Sequence, residues 1–329
     1  MAKVLITTVP FCDKSRLPFE LLENAGAGYL VNPLNKKLTE DELANMVSDV
    51  DIIIAGTEKI SAKVMDRAPN LKMISRVGVG LDGVDLSAAK ERGIIVSYTP
   101  EAPAPAVADF TLGLILTLLR SVHISNTEMH DGVWNRYFGR RLSEVTIGII
   151  GVGRIGTRVL NRTKAFGTPR ILVNDTMPDF ELSRNFKLEW VSKEKIFQES
   201  DIVSLHVPLT HLTKNMVRKE QLLSMKKDAI IINTARGGII NEQDLYDVMQ
   251  AGHLNSAAID VFDLEPYAGP LRGIKRCLLT AHMGSMSEDC RTRMEIEATE
   301  EVVRFLTEKP LEGVVPNEEY DAQLIFDVD

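Results

Sequence analysis

The sequence predicts an α/β protein built from two doubly wound parallel sheets. Two observations carry this. Short β-rich runs alternate with helical patterns along the chain, the rhythm of βαβ units. A proline-rich segment then interrupts the alternation, and it starts afresh. The first series holds "VLITT" (4–8), "DIIIAG" (51–56), "LKMISRVG" (71–78) and "GIIVSYT" (93–99) as strands. Between them, "TEDELANMV" (39–47) opens with Thr39 and Glu42 at capping-box spacing, and "DLSAAKERG" (85–93) stops on a glycine, so both read as helices.

Pro100, Pro103 and Pro105 in "TPEAPAPAVAD" (99–109) close that series. The second contains "VTIGII" (145–150), "RILVND" (170–175), "DIVSLHV" (201–207), "AIIINTA" (229–235), "SAAIDVF" (256–262) and "CLLTAH" (277–282). A helix over 106–122 is apolar on nearly every side, which predicts burial between layers or against a second subunit. A long amphipathic helix over 287–308 is expected to carry the chain back to the first domain, because the tail beyond it is too short to fold alone. The expected domains are therefore 1–102 with 287–329, and 103–286.

Composition narrows the class. The chain has 329 residues, 44% of them hydrophobic and 26% charged, with a formal charge of −8. That is an ordinary globular composition, and with no long basic run it argues against a nucleic-acid surface. Cys12, Cys277 and Cys290 form no CxxC pair and leave an odd number, which fits a reducing, cytoplasmic compartment. "MAKVLITTVP" enters a strand with no leader pattern. The longest apolar stretch, "FTLGLILTLL" (110–119), is shorter than the roughly 20 residues a bilayer requires, so no membrane partner is expected. No metal site is expected.

The first motif with chemistry is "GIIGVGRIGTRV". A GxGxxG is weak evidence alone, since glycine turns are common. Here a strand precedes it, a helix follows, and an acid stands 19 residues past the last glycine. Gly151 makes the tight turn, Gly153 lets the backbone approach a pyrophosphate at the helix N-terminus, and Gly156 lets helix and strand pack closely. Asp175 ends the next strand, where it can bond both ribose hydroxyls and repel a 2′-phosphate. The pattern points to NAD rather than NADP and to a Rossmann/flavodoxin-like arrangement.

Charged side chains also follow three strands of the second series: Arg236 in "INTARGGII", Glu265 in "IDVFDLEPY" and His282 in "LLTAHMGS". Beyond the carboxyl ends of parallel strands, side chains gather in one crevice. There His282 would pass a proton to a carbonyl oxygen as hydride reaches its carbon. Glu265, on the far ring nitrogen, would fix the tautomer and tune the ring's basicity. Arg236 would hold a substrate carboxylate through two parallel bonds and polarise the carbonyl. Gly237 and Gly238 behind it are expected to turn the backbone away and leave room for the substrate. Each residue alone has a plainer reading, Arg236 and Glu265 as an internal ion pair among them. Three strand ends beside a dinucleotide motif favour catalysis.

With "RVGVGLDGVDLSAAKERGI", "HVPLTHLTKNMV" and these motifs in order, nearly the whole chain resembles the D-isomer-specific 2-hydroxyacid dehydrogenases. The nearest branch is the phosphoglycerate dehydrogenase-like one without a C-terminal regulatory domain. The resemblance implies NAD-dependent interconversion of a small D-2-hydroxy acid and its 2-keto acid, in a cleft between a substrate domain and an NAD-binding domain. It implies that Arg236, Glu265 and His282 are catalytic, and that Arg236 and His282 also touch substrate. Substrate contacts would further come from Val79 and Gly80. Arg154, Ile155, His206, Val207, Pro208, Thr234, Ala235, Asp260 and Gly284 would join the three glycines and Asp175 around NAD. It also implies a homodimer joined partly through the 106–122 helix.

The departures bear on substrate. Where phosphoglycerate dehydrogenases usually carry an Arg-Ser pair, this chain reads "IIAGTEK", with Gly56-Thr57. Arg76, or Arg136 and Arg140 from a partner subunit, would have to supply the phosphate-binding cation. The competing reading makes all three solvated surface charges. Pro103 and Pro105 replace small polar residues, and Ala281 replaces a proline before the histidine. Hydroxypyruvate, glyoxylate or a phosphoryl- or phosphonyl-bearing 2-keto acid fit these residues. The alternatives are 3-phosphoglycerate oxidation proper, or an NAD(H)-sensing corepressor-like binding protein, against which the absence of long tails argues.

Overall fold

A computed structural model describes residues 1–167 and 169–323; the last residues of the C-terminal tail, 324–329, lie outside the described residues. The chain divides into two compact units, Met1–Pro103 with Met286–Asp329, and Ala104–Ser285.

In unit 1 the chain runs β1 (Lys3–Ile6), α1 (Leu17–Asn24), β2 (Gly28–Val31), α2 (Glu40–Ala44), β3 (Ile52–Ala55), α3 (Ala62–Asp66), β4 (Met73–Arg76), α4 (Leu86–Glu91) and β5 (Ile95–Tyr98). Its sheet is parallel, in the order β2-β1-β3-β4-β5. β3 and β4 are buried along their whole length, as strands covered on both faces must be. Thr39 and Glu42 form the reciprocal cap at the start of α2. Asp85 caps α4 by accepting from the Ala88 N–H at 2.9 Å.

Unit 2 begins with α5 (Ala104–Leu119) and α6 (Val122–His130). It continues through β6 (Thr146–Ile150), α7 (Arg154–Thr163), β7 (Arg170–Asn174), α8 (Leu182–Asn185), β8 (Leu188–Trp190), α9 (Lys193–Glu199), β9 (Ile202–Leu205), α10 (Lys219–Ser224), β10 (Ile230–Asn233), α11 (Glu242–Gln250), β11 (Ser256–Ile259) and β12 (Cys277–Leu279). This sheet is also parallel, ordered β12-β11-β10-β9-β6-β7-β8. The order reverses between β6 and β9, the switch point at which open α/β sheets bind ligands. The chain then returns to unit 1 through α12 (Glu288–Leu306) and α13 (Asn317–Ala322).

Two features differ from expectation. The helix predicted over 106–122 ends at Leu119; Ser121 takes a positive φ of 51°, and α6 departs at 66° to α5. Along α5, Val107, Ala108, Thr111, Ile115 and Leu118 are buried within the single chain, and Asp109 and Gly113 are exposed. The strands β2 and β8 lie outside the expectation: they are edge strands of four and three residues with no fully buried residue. Among the described residues no single helix is long and apolar enough to cross a membrane.

α12 lies against β3, β4 and β5. Ala298 is fully buried there, and its carbonyl accepts from the Ser75 hydroxyl at 2.8 Å. A larger side chain has no room. Ala298→Leu is expected to cost about 1–3 kcal/mol, read as a lower urea midpoint at constant slope; an unchanged midpoint would refute this tight contact.

Candidate active site

The glycine turn after β6 is shaped by contacts that exclude side chains. Gly151 has φ 93°, and a Cβ on it would lie 2.5 Å from the His206 carbonyl oxygen. A Cβ on Gly156 would collide with the Gly151 carbonyl, so α7 packs directly on the turn. At Gly153 a Cβ would meet nothing within 4 Å, so the backbone there borders open space. Gly153 is the N-cap of a ten-residue helix and provides no side-chain cap. The first N–H groups of α7 therefore face outward, ready for an anion. Arg154 is exposed and Ile155 half-buried on this first turn.

Asp175 follows β7 and bends back to the turn. Its Oδ2 accepts from the Val152 N–H at 2.7 Å and its Oδ1 from the Met177 N–H at 2.9 Å. His206, Val207 and Pro208 follow β9, across the switch point. Nε2 of His206 lies 2.9 Å from the Ser204 hydroxyl, while Nδ1 is sealed without a partner among the described residues. Burial pulls the imidazole pKa down to about 4. These groups fit a dinucleotide: an outward-facing helix N-terminus for the pyrophosphate and an acid beside it for a ribose.

The loop after β10 is built by Asn233. Its buried amide accepts from the Ala235 N–H at 3.0 Å and donates to the Arg236 carbonyl at 2.8 Å, ending the strand and presenting Arg236. Nη1 of Arg236 donates to the Ala235 carbonyl at 2.7 Å. Gly238 turns the chain with φ 76°. Gly237 acts differently from expectation: a Cβ there would collide with the Phe262 carbonyl group, so the space it leaves is filled by the protein's own β11 loop, not by a ligand. Thr234 is buried, its hydroxyl 2.8 Å from that of Thr111 on α5.

Glu265 and His282, on the loops after β11 and β12, meet. Nδ1 of His282 lies 3.1 and 3.0 Å from the two Glu265 carboxylate oxygens, and Glu265 Oε1 also accepts from the Phe262 N–H at 3.2 Å. His282 holds a positive φ of 52°, a conformation costly for a residue with a Cβ. Asp260 maintains it. Its carbonyl accepts from the His282 N–H at 2.8 Å. Its carboxylate, 1% exposed, accepts from the Thr280 hydroxyl at 2.6 Å and from the N–H groups of Met283 and Gly284 at 2.7 and 2.9 Å. Beside this loop, burial raises the Glu242 pKa, and the charges of Asp263 and Glu265 add to the effect.

Residues 112–284 match the family described as D-isomer specific 2-hydroxyacid dehydrogenase, NAD binding domain. The chain belongs to this family. It is similar to the hydroxypyruvate reductase of Thermotoga maritima, 36% identical over 279 residues, 83% of this chain and 90% of that one. It is 35% identical to the D-3-phosphoglycerate dehydrogenase of Methanocaldococcus jannaschii over 96% of its own length but only 59% of that protein. Among solved structures, the TT0316 protein of Thermus thermophilus superposes with a TM-score of 0.86 at 35% identity, covering 95% of this chain and all of that one. As a member, the chain is an NAD-dependent 2-hydroxyacid oxidoreductase, and unit 2 carries its NAD-binding domain.

Every sequence-predicted NAD and catalytic residue of this dehydrogenase therefore follows a strand of unit 2. Arg76, Val79 and Gly80 end and follow β4 in unit 1. Arg76 does not fit the reading of a solvated surface charge: it is 6% exposed, and its Nη1 donates to the Val77 carbonyl beside Gly78, whose φ of 130° brings the chain over the guanidinium. Arg140 pairs with Asp201 at 2.9 Å, and Arg136 is exposed. Sequence reasoning missed Asn233, Ser204 and Thr111. An asparagine at a strand end is a turn signal that was available; the two hydroxyls gain meaning only from their partners.

The His206 ring sets a pH dependence. Its folded pKa of about 4 lies below the ordinary 6.5, so as pH falls the unfolded chain takes up the proton first. Stability from this residue is complete above about 6.5 and is lost as pH falls towards 4. Urea titrations of wild type and His206→Asn are expected to diverge across that window, by on the order of 3 kcal/mol at its lower end. Parallel curves would mean that the ring titrates alike in both states.

Proposed function

We propose that the enzyme interconverts a small polar 2-keto acid, of the hydroxypyruvate or glyoxylate kind, and its D-2-hydroxy acid. The observation that carries the residue roles is the contact of His282 with Glu265 at 3.0 Å in the NAD-binding domain. With Nδ1–H donated to the carboxylate, the outer nitrogen Nε2 is left to give a proton to the substrate carbonyl oxygen in reduction, or to take it from the hydroxyl in oxidation. Glu265 holds the ring orientation and balances its positive form. Arg236 binds the substrate carboxylate and draws electron density from the carbonyl. The backbone of Val79 and Gly80 supplies further carboxylate donors from unit 1. NAD supplies or receives the hydride at the substrate carbon. Gly153, Arg154 and Ile155 hold the pyrophosphate on the turn that Gly151 and Gly156 shape, and Asp175 takes the ribose hydroxyls and disfavours a 2′-phosphate. His206, Val207, Pro208, Thr234, Ala235, Asp260 and Gly284 line the rest of the cofactor site. A reducing cytoplasm suits the three free thiols.

NADH consumption with glyoxylate, hydroxypyruvate, pyruvate, 2-oxoglutarate and phosphohydroxypyruvate tests this. Turnover of a 2-keto acid is expected, lowered by His282→Ala about 10²–10⁴-fold in kcat and poorer with NADPH. Full turnover by the variant would exclude His282 as the acid/base; no turnover of any acid would exclude the substrate class.

We further infer a homodimer through α5, α6 and the loop beyond. That segment exposes Val122 (53%), Met129 (51%), Trp134 (77%) and Phe138 (107%), an apolar series unusual for a surface left in water. Sedimentation should give twice the 36.6 kDa chain mass, and Trp134→Asp with Phe138→Asp should give the single chain. A wild type sedimenting at the monomer mass would exclude the dimer.

A further inference from the structure

Unit 1 has its own switch point, between β1 and β3, where the strand order reverses. One side chain bridges it. Glu58 is 2% exposed, and its Oε1 accepts both from the Gly56 N–H, just past β3, at 2.9 Å and from the Thr7 hydroxyl, just past β1. Its Oε2 accepts no hydrogen bond from the described residues, yet is not sealed from solvent. Anchoring the loop requires one oxygen. The second is a strong acceptor at the ligand-binding edge of the sheet, with its donor still to come.

The same oxygen explains Gly56. A Cβ there would lie 2.7 Å from Glu58 Oε2 and 3.1 Å from Thr8 Cα. The space beside the first residue after β3 is thus held by a carboxylate oxygen. A phosphoryl group brought there would meet like charge and a fixed acceptor. A hydroxyl would supply the donor that Oε2 lacks. β3 is the immediate neighbour of β4, and adjacent strands stand about 4.8 Å apart.

We propose that Glu58 is a specificity-determining residue, whose Oε2 accepts a hydrogen bond from the 3-hydroxyl of a 3-hydroxy-2-keto acid and rejects a phosphoryl group in its place. This rests on the proposed function above, including a substrate carboxylate bound at Val79 and Gly80.

The test is kcat/KM with NADH for hydroxypyruvate, its 3-O-methyl ether, pyruvate and phosphohydroxypyruvate, on wild type and Glu58→Gln. The glutamine keeps one oxygen for Gly56 and Thr7 but turns the second position into a donor. Wild type is expected to prefer hydroxypyruvate to each of the others by about tenfold or more, the scale of a hydrogen bond to a charged acceptor. Glu58→Gln should reduce the preference over the methyl ether about tenfold. Equal use of the methyl ether or of phosphohydroxypyruvate by wild type would overturn the proposal, as would an unchanged ratio in a folded Glu58→Gln. The wild-type comparison decides even if the variant does not fold. Either result leaves the oxidoreductase reading in place, whereas failure to reduce any 2-keto acid, or indifference to His282→Ala, would remove that reading itself.

Discussion

The buried carboxylate of Asp260 fixes the loop after β12 in unit 2. A carboxyl group this deep is tolerable only with donors on its oxygens, and it obtains them from one loop: Thr280, Met283 and Gly284, with the His282 N–H on its own carbonyl. The loop cannot move without stranding that carboxyl. This holds His282 in a left-handed backbone conformation that a residue with a Cβ seldom adopts. It also keeps the ring in line with Glu265, which reaches it from the neighbouring strand end. The geometry of this pair is set by the protein's own hydrogen bonds.

Around this point the structure depends on close backbone approach. Gly151 lies on the carbonyl of His206, Gly156 on that of Gly151, and Gly237 on that of Phe262. Each contact brings together two strand-end loops distant in sequence, or a loop and the helix that follows it, and a single methyl group would separate them. Gly237 is instructive, since its neighbour Arg236 invites a functional reading of both. Arg236 is presented by an asparagine-built turn, and the glycine behind it serves the seating of the β11 loop.

The relatives differ in their substrates while sharing this family. Unit 2 carries the family's NAD-binding domain, and on the proposals made above it also supplies proton transfer while unit 1 supplies recognition. In both sheets the informative residues follow the carboxyl ends of strands at a reversal of strand order: the glycine turn and Asp175 in one, Gly56 and Glu58 in the other.

The sequence by itself determined the α/β class, two parallel sheets, the dinucleotide turn with its acid, and the family. These features are local or periodic. An apolar run, a glycine spacing or a capping pair is complete within about a dozen residues, and motifs in order specify a family. The sequence did not disclose the edge strands β2 and β8, which are only four and three residues long and half-exposed, or the break at Ser121, beyond which apolar residues resume. Nor did it disclose that Arg76 is buried or that Gly237 yields to Phe262. Only the tertiary structure decided those points, together with the partners of Asp260, Asn233 and Glu58. A hydrogen bond between residues 51 positions apart, as between Thr7 and Glu58, exists only once β1 and β3 have become neighbours, and that neighbourhood is a property of the sheet order.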